Sequence, residues 1–289
     1  MNQKYSHAKA INAIATGIRG NWDDRREVIA KSPSMVGVLR QAARAAQSDA
    51  SVLLLGESGT GKEIVAQYIH QHSPYRKKQM VAINCTSLPE SLLEAELFGY
   101  EKGAFTGAAS GGKIGLIEAA ANNTLLLDEV NSMPLSLQAK LLRVLETKAV
   151  IPVGSVKPRA VNFRLICASN VALAQCVKEG TFRMDLYYRL NVIPITIPPL
   201  RERREDITPL ADYFLDHFCQ KYGLQKEFSS RVYQILNHYK WPGNIRELRN
   251  LVEHMVVMSE SSVVKINQIP TGMLQLEPPS PCLLYTSDA

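Results

Sequence analysis

The stretch "GESGTGKE", from Gly56 to Glu63, directly follows the apolar run "SVLLLG" and opens a helical segment. Its spacing, G-x-x-x-x-G-K after a strand, is that of a phosphate-binding loop. Gly56, Gly59 and Gly61 let the backbone curl with its N–H groups pointing inward, the helix N-terminus adds positive potential, and Lys62 can reach the terminal phosphates. The stretch therefore predicts a nucleotide site made of Gly56, Glu57, Ser58, Gly59, Thr60, Gly61, Lys62 and Glu63.

Glu63 stands where many such loops have a Ser or Thr that holds magnesium, so the metal must find its ligands elsewhere. The end of the apolar run "TLLLDE" supplies a candidate. Asp128 can hold Mg²⁺, and Glu129 can orient or deprotonate an attacking water. An Asp-Glu pair alone is a weak signal, because many such pairs only cap the next helix. Together with the phosphate loop it favours hydrolysis of ATP over nucleotide binding alone.

Five short β-rich runs alternate with helical or loop-rich stretches. They are "SVLLLG" from Ser51, "MVAINC" from Met80, "TLLLDE" from Thr124, "VNFRLICAS" from Val161 and "VIPITI" from Val192. Such nearly continuous apolar runs are typical of parallel strands that helices cover on both faces. The alternation predicts an α/β fold with a five-stranded parallel sheet and crossover helices.

After "PPLRERRED" the pattern is helical only. Apolar stripes recur at helical spacing, and they comprise Leu210, Tyr213, Phe214, His217 and Phe218; Val232, Ile235, Leu236 and Tyr239; and Ile245, Leu248, Leu251, Val252 and Met255. Asn244 and Glu247 have the spacing of a capping box at the start of the last helix. We read the nearby Arg201, Arg203 and Arg204 as a solvated hinge. The predicted domains are a linker or helix at 1–30, an α/β nucleotide-binding domain at 31–204, a helical domain at 205–270 and a linker or ragged terminus at 271–289.

Composition narrows the class of protein. The chain has 289 residues and a formal net charge of +6, which favours anionic partners such as nucleotides, although a mildly basic surface explains it equally well. Its five cysteines have no paired spacing, so they suggest neither a zinc site nor a disulfide framework. No apolar run is long enough to span a membrane, and the first residues lack the core of a signal peptide. We expect a cytoplasmic protein with no membrane association.

Five motifs occur together in a fixed order: the phosphate loop, "LLLDEV", "GAFTGA" from Gly103 to Ala108, "FRMDLYYRL" and "WPGNIRELRN". In this order they resemble the AAA+ sigma-54 interaction domain of bacterial enhancer-binding proteins, over roughly Ser32 to Pro270. The resemblance implies an AAA+ P-loop NTPase in which helices sandwich the sheet and a small helical lid domain follows. It also implies a homo-oligomeric ring, usually a hexamer, that uses ATP hydrolysis to remodel the closed complex of the sigma-54 RNA polymerase holoenzyme.

The resemblance also implies roles for single residues. Asn84 matches a polar switch that couples Glu129 to the moving loops, or else it is a turn residue at a strand end. Asn170 matches the sensor of the γ-phosphate, and Arg246 the lid residue that contacts bound phosphate. Arg183 and Arg189 match arginine fingers that act in a neighbouring subunit, with a surface ion pair to Asp185 or a nearby Glu as the alternative. The implied sigma-54 contact consists of Gly103, Ala104, Phe105, Thr106, Gly107 and Ala108.

Some positions depart from the family pattern. Asn122 and Asn123 replace a common glycine pair before the "TLLLDE" strand, and Pro152 replaces an arginine of the second pore loop. The loss of that arginine puts in question the support that the second pore loop gives to the first, "GAFTGA"-bearing loop. It does not touch the hydrolytic residues. Only nineteen residues follow Pro270, too few for the usual helix-turn-helix. We therefore expect a fragment in preference to a member without its own DNA anchor, with DNA contact only through a domain absent from this chain.

Two other functions fit the same motifs less well. One is an AAA+ ATPase that acts on a different client, such as a DNA motor or a chelatase subunit. The other is a nucleotide-sensing DNA-binding regulator that does not open promoters. The intact "GAFTGA" stretch argues against the first. Glu129, both candidate fingers and the same stretch argue against the second.

Overall fold

A computed structural model describes residues 28–104 and 112–268. The chain divides into two compact units between Pro199 and Leu200. The expected N-terminal linker helix, the C-terminal tail and the part of the "GAFTGA" stretch from Phe105 to Ala108 lie outside the described residues. The domain bounds 31–204 and 205–270 stay predictions.

The first unit alternates strands and helices. Its strands are β1 (Val52–Leu55), β2 (Val81–Asn84), β3 (Gly99–Tyr100), β4 (Lys113–Ile114), β5 (Thr124–Asp128), β6 (Ala149–Val150), β7 (Arg159–Ala160), β8 (Arg164–Ser169) and β9 (Ile193–Thr196). Its helices are α1 (Pro33–Ala45), α2 (Lys62–Gln71), α3 (Glu90–Phe98), α4 (Leu116–Ala119), α5 (Leu135–Thr147), α6 (Leu173–Lys178) and α7 (Met184–Leu190), with a 3₁₀ turn at Val130–Ser132.

Five of these strands form one parallel sheet in the order β2-β5-β8-β1-β9. Side chains alternate between its faces, so Leu53 and Leu125 enter one apolar core while Leu54 and Leu126 enter the other. Helices α3, α5 and α7 cover the first face, and α1 and α2 cover the second. The predicted α/β fold, a five-stranded parallel sheet sandwiched by helices, is confirmed.

Two antiparallel hairpins extend the first unit beyond the sheet. One pairs β3 with β4 and brackets residues 101–112; the other pairs β6 with β7 and brackets residues 151–158. A parallel bridge between Tyr100 and Val153 joins them. Both hairpins are short, so their geometry depends on contacts with each other.

The second unit is helical apart from one two-stranded pair. It contains α8 (Ile207–Tyr222), α9 (Ser230–His238), α10 (Asn244–Met258), the strands β10 (Glu227–Phe228) and β11 (Val263–Val264), and 3₁₀ turns at Leu200–Glu202, Arg204–Asp206 and Ile266–Gln268. Three helical stripes supply its core, which includes Phe218, Leu236 and Val252. The assignment of His217 to such a stripe is wrong, because its side chain is exposed. The unit has the predicted small helical architecture.

The predicted capping box at the start of α10 is wrong in its first member. The helix cap is Gly243, whose N–H donates to the Glu247 carboxylate at 2.8 Å. Asn244 is already inside the helix at a φ of 54°, and its side-chain oxygen accepts a hydrogen bond from the Leu200 N–H at 2.8 Å. Its amide is thus committed to another segment and does not cap the helix.

Candidate functional site

The candidate site lies where parallel strands end, since β1, β2, β5 and β8 all direct their carboxyl ends to the same edge of the sheet. In open α/β sheets this edge is where ligands bind. The phosphate loop follows β1, Asn84 ends β2, Asp128 ends β5 and Ser169 ends β8. Pairing of β2 with β5 sets Asn84 opposite Asp128, and pairing of β1 with β8 sets Leu55 opposite Ser169.

The loop from Gly56 to Gly61 has the backbone that phosphate binding requires. Gly59 and Gly61 have φ values of 78° and 102°, in the left-handed region that glycine reaches without a steric penalty. A Cβ on Gly56 would lie 2.8 Å from the Ile197 carbonyl oxygen, so only glycine fits there. The buried Thr60 hydroxyl donates to the Glu57 carbonyl at 2.8 Å, which holds the curl in place. Exposed Glu63 lies in the first turn of α2, where its carboxylate accepts a hydrogen bond from the Gln67 side chain.

Lys62 is 7% exposed and points back into the loop. Its Nζ donates to the Gly56 carbonyl at 2.8 Å and to the Glu57 carbonyl at 3.3 Å. Glu129 Oε1 lies 3.8 Å from the same nitrogen. The structure therefore brings together the cation and the candidate base that the sequence assigned separately to this site.

Glu129 itself has an unusual backbone, with a φ of 51°. Residues other than Gly, Asn and Asp rarely adopt this left-handed conformation, which costs about 1–3 kcal/mol. Its N–H donates to the Asp128 carboxylate at 3.0 Å. This turn at the end of β5 directs the Glu129 side chain toward Lys62.

Asp128 is fixed from two directions. Asn84 Nδ2 donates to Asp128 Oδ2 at 3.2 Å, while Oδ1 accepts the Glu129 N–H. The Asn84 oxygen meanwhile accepts from both the N–H and the hydroxyl of Thr86, at 2.8 and 2.5 Å. Asn84 thus makes the contacts of a turn residue at a strand end, and it also donates a side-chain hydrogen bond to Asp128 of the acidic pair.

The residues that fit magnesium are fewer than a complete ligand set. Among residues 28–104 and 112–268, no cluster of three or more His, Cys, Asp or Glu side chains could hold a metal ion. Asp128 offers a preoriented carboxylate, which is the ligand type that Mg²⁺ prefers, and Mg²⁺ in nucleotide sites takes one or two carboxylates plus phosphate oxygens. This donor set fits a metal that arrives with a nucleotide.

Asn170, the expected phosphate sensor, directly follows β8 and is exposed. Its buried neighbour Ser169 is better connected: the Ser169 hydroxyl contacts the Asn131 side-chain oxygen at 3.0 Å and the Val171 carbonyl at 2.7 Å. The Ser169 carbonyl accepts the Gly56 N–H at 3.3 Å. Sequence reasoning missed Asn131, which lies in the 3₁₀ turn after Glu129 and links that turn to β8.

The candidate fingers lie at either end of α7. Arg183 makes a two-contact ion pair with Asp185, at 3.0 Å from Nε and 2.6 Å from Nη2. This pair lowers the pKa of Asp185 and raises that of Arg183. Arg189 donates from Nη2 to the Leu145 carbonyl in the last turn of α5, at 3.1 Å. The surface ion pair with Asp185, the alternative to a finger role for Arg183, is therefore present within one chain.

The four arginines of the second unit that the sequence singled out differ in their exposure to solvent. Arg246 is exposed in the first turn of α10. Arg203, expected to be part of a solvated hinge, is 1% exposed, so that reading is wrong for this residue. Burial lowers the pKa of Arg203, and the nearby Asp206 carboxylate opposes the shift. Arg201 and Arg204 are exposed.

The two departures from the family pattern have local explanations. Asn122 has a φ of 54°, a left-handed conformation that Asn tolerates better than most residues, so it can stand where glycine is common. The Asn123 amide donates to the Gln79 carbonyl at 2.7 Å, next to the start of β2. Pro152 is buried and begins a tight turn, because its carbonyl accepts the Ser155 N–H at 3.0 Å around Gly154.

Gly103 and Ala104, the described part of the "GAFTGA" stretch, lie between β3 and β4. Gly103 has a φ of 78°. Ala104 packs closely on the loop of residues 151–158. A Cβ added to Gly154 of that loop would lie only 2.9 Å from the Cβ of Ala104. Within the described residues, no helix is long and apolar enough to cross a lipid bilayer.

Comparison with known families gives two matches. The sigma-54 interaction domain matches residues 28–196, and the AAA+ ATPase lid domain matches residues 201–281. UacR of Escherichia coli K12, named as a sigma-54-dependent transcriptional regulator, is 52% identical over 81% of this chain and 40% of its own length. A protein of Pseudomonas sp. NS671 encoded in the HyuA 5′ region is 48% identical over 84% of this chain and 83% of its own. The regulatory protein AtoC of E. coli K12 is 44% identical over 94% of this chain and 59% of its own.

Solved structures agree with the fold. NtrX from Brucella abortus in complex with ATP superposes with a TM-score of 0.80 at 30% identity, over 98% of this chain and 61% of NtrX. The ADP complex of NtrX also superposes with a TM-score of 0.80. The chain thus spans only 40% to about 60% of the length of UacR, AtoC and NtrX.

Proposed function

This chain belongs to the family of sigma-54 interaction domains, and we propose that it is the ATP-hydrolysing core of a sigma-54-dependent transcriptional activator. The observation that carries the proposal is the 3.8 Å approach of Glu129 to the phosphate-loop residue Lys62. It sets a candidate base and a phosphate-binding cation at one edge of the sheet. Family membership supports the client, and the NtrX complexes support ATP and ADP as ligands.

The phosphate loop binds the nucleotide through its inward N–H groups and Lys62. The Lys62 ammonium exchanges its contacts with the Gly56 and Glu57 carbonyls for phosphate oxygens, which are stronger, charged acceptors. Its burial keeps the charge poorly screened and thus effective. Glu129 is then released from Lys62 and is available to orient a water and accept its proton.

Asp128 would hold the magnesium ion, because Asn84 and the Glu129 N–H fix its carboxylate. When bound, Mg²⁺ neutralises charge that develops on the phosphate oxygens. Any shift of Asn84 alters the position of Asp128, so the end of β2 is coupled to the site. Asn170 and Arg246 are proposed as further contacts to the nucleotide, through exposed polar groups.

We assign Arg183 and Arg189 to the nucleotide of a neighbouring copy in a ring. Met184 and Tyr188 are 61% and 68% exposed and, four positions apart, share a face of the same short helix. Large exposed apolar side chains beside arginines are typical of protein interfaces. In this scheme Arg183 leaves Asp185 when the ring forms, and a monomer hydrolyses ATP slowly.

The test of the client is capture of sigma-54. The wild-type chain, loaded with ADP and aluminium fluoride as a transition-state mimic, is expected to bind purified sigma-54, whereas Thr106→Ala hydrolyses ATP but does not capture it. If the wild type hydrolysed ATP and still failed to capture sigma-54, the client would be a different one. A complete lack of ATP turnover at any protein concentration would instead favour a nucleotide-sensing regulator.

A further inference from the structure

The two hairpins of the first unit are joined along their backbones. The Val153 N–H donates to the Gly99 carbonyl at 2.9 Å, and the Glu101 N–H donates to the Val153 carbonyl at 3.0 Å. With β3 and β6 only two residues long, these bonds contribute a large share of the pairing at this edge. Additional side-chain contacts are therefore needed to hold the two hairpins in register.

Arg159, in β7, supplies such contacts to both sides of the first hairpin. Its Nη2 lies 2.6 Å from Glu101 Oε1, immediately before residues 102–112. Its Nη1 lies 2.8 Å from Glu118 Oε2 in α4, just after β4. Arg159 is about one-third exposed, and the two carboxylates raise its pKa, with the Glu118 hydrogen bond as the largest cause.

We propose that Arg159 is a positioning residue that clamps both ends of the "GAFTGA"-bearing segment to the second hairpin. One planar guanidinium can hold two carboxylates at once in a fixed geometry, which an ammonium group cannot do. The part of this inference that concerns sigma-54 rests on the proposed function, whereas the clamp itself does not.

The second hairpin also connects to a candidate finger. Helix α5 ends at Thr147, and Lys148, with a φ of 53°, turns the chain directly into β6. Arg189 contacts the Leu145 carbonyl in the last turn of that helix. A displacement of α5 would thus reach β7, and Arg159 would transmit it to Glu101 and Glu118. Pro152, which has no charged side chain, cannot take this role.

Hydrogen exchange of the full chain tests the clamp without any client. We expect Arg159→Ala to speed exchange at the Glu101 and Val153 amides by about two- to fivefold, the size expected for a partly exposed ion-pair cluster. The exchange rate of Arg159→Lys should lie between those of the wild type and Arg159→Ala. The double variant Arg159→Glu/Glu118→Arg should restore part of the protection from exchange. Arg40→Ala, at an exposed site on α1, is the control. Equal exchange in Arg159→Ala and Arg40→Ala would overturn the proposal.

Sigma-54 capture with ADP and aluminium fluoride tests the consequence. Arg159→Ala is expected to keep its ATP turnover within about twofold but to lose at least about tenfold in capture, because small misplacements of a recognition element are costly. Capture equal to that of wild type would refute the positioning role. If the wild type itself captured nothing, the client assignment would fail, and the exchange experiment would still decide the clamp.

Discussion

The Glu129 carboxylate lies 3.8 Å from the Lys62 ammonium and follows a strand whose last residue, Asp128, is already held by Asn84. Removal of its charge should therefore affect proton transfer more than binding. We expect Glu129→Gln to lower the steady-state ATPase rate by about 10²–10⁴-fold. Affinity for a fluorescent ATP analogue should change little. Glu179→Gln, at an exposed position outside the nucleotide site, is the matched control. A rate within threefold of wild type in Glu129→Gln would contradict the assignment.

Two glycines give opposite predictions for the same substitution. In Gly56→Ala the new methyl group would lie 2.8 Å from the Ile197 carbonyl, so the backbone must shift. We expect the free energy of unfolding to fall by about 1–3 kcal/mol and nucleotide affinity to drop. Gly37, in the middle of α1, has nothing within 4 Å of its added Cβ. Gly37→Ala should raise the free energy of unfolding by about 0.4–1 kcal/mol in urea denaturation.

Tyr68 predicts a pH dependence. Burial raises its pKa from the ordinary 10.0 to about 12, and its hydroxyl lacks a hydrogen-bond partner among the described residues. The unfolded chain releases this proton first, so stability is complete below pH 10 and is lost as pH rises from about 10 to 12. Tyr68→Phe should flatten this part of the urea-unfolding profile and leave stability at pH 7 equal or higher. An unchanged slope in Tyr68→Phe would contradict the attribution to Tyr68.

The N-terminus of α10 depends on a single carboxylate. Glu247 accepts the Gly243 N–H at 2.8 Å and the Tyr239 hydroxyl at 3.1 Å. Glu247→Ala should lower the free energy of unfolding by about 1 kcal/mol, because the cap and a favourable charge near the helix N-terminus are lost together. Buried Trp241 fluorescence, in a Trp22→Phe background, follows this unit. Exposed Glu260→Ala is the control, and equal losses in both would show that the cap contributes nothing.

The elements were predictable to the extent that their signals are local. Each of the five sheet strands is a nearly continuous apolar run, and the phosphate loop is recognised by the spacing of residues that are close in sequence. The sheet order depends instead on which strands pair across long separations. Arg159 likewise meets Glu118 and Glu101 across 41 and 58 positions, a contact that no local pattern contains. The capping box failed because Asn244, although correctly spaced, is used by the distant Leu200 N–H.

For the whole molecule, the proposed ring makes activity a property of the assembly. Arg183→Ala retains the base and Glu129→Gln retains the finger, so each variant alone should be nearly inactive. A ring that mixes them should regain about a quarter of the wild-type ATPase rate under random assembly, at interfaces that combine both intact residues. No recovery on mixing would indicate that Arg183 acts within its own chain.

The left-handed backbone of Glu129 lowers the stability of the fold at a position whose side chain is proposed to be needed for ATP hydrolysis. At a φ of 51°, Gly or Asn would have less backbone strain than Glu. Neither could accept the proton that hydrolysis releases. Stability and activity therefore favour different residues at position 129. A library at position 129 that is selected only for survival of heating should enrich Gly and Asn, and it should return well-folded proteins without ATPase activity.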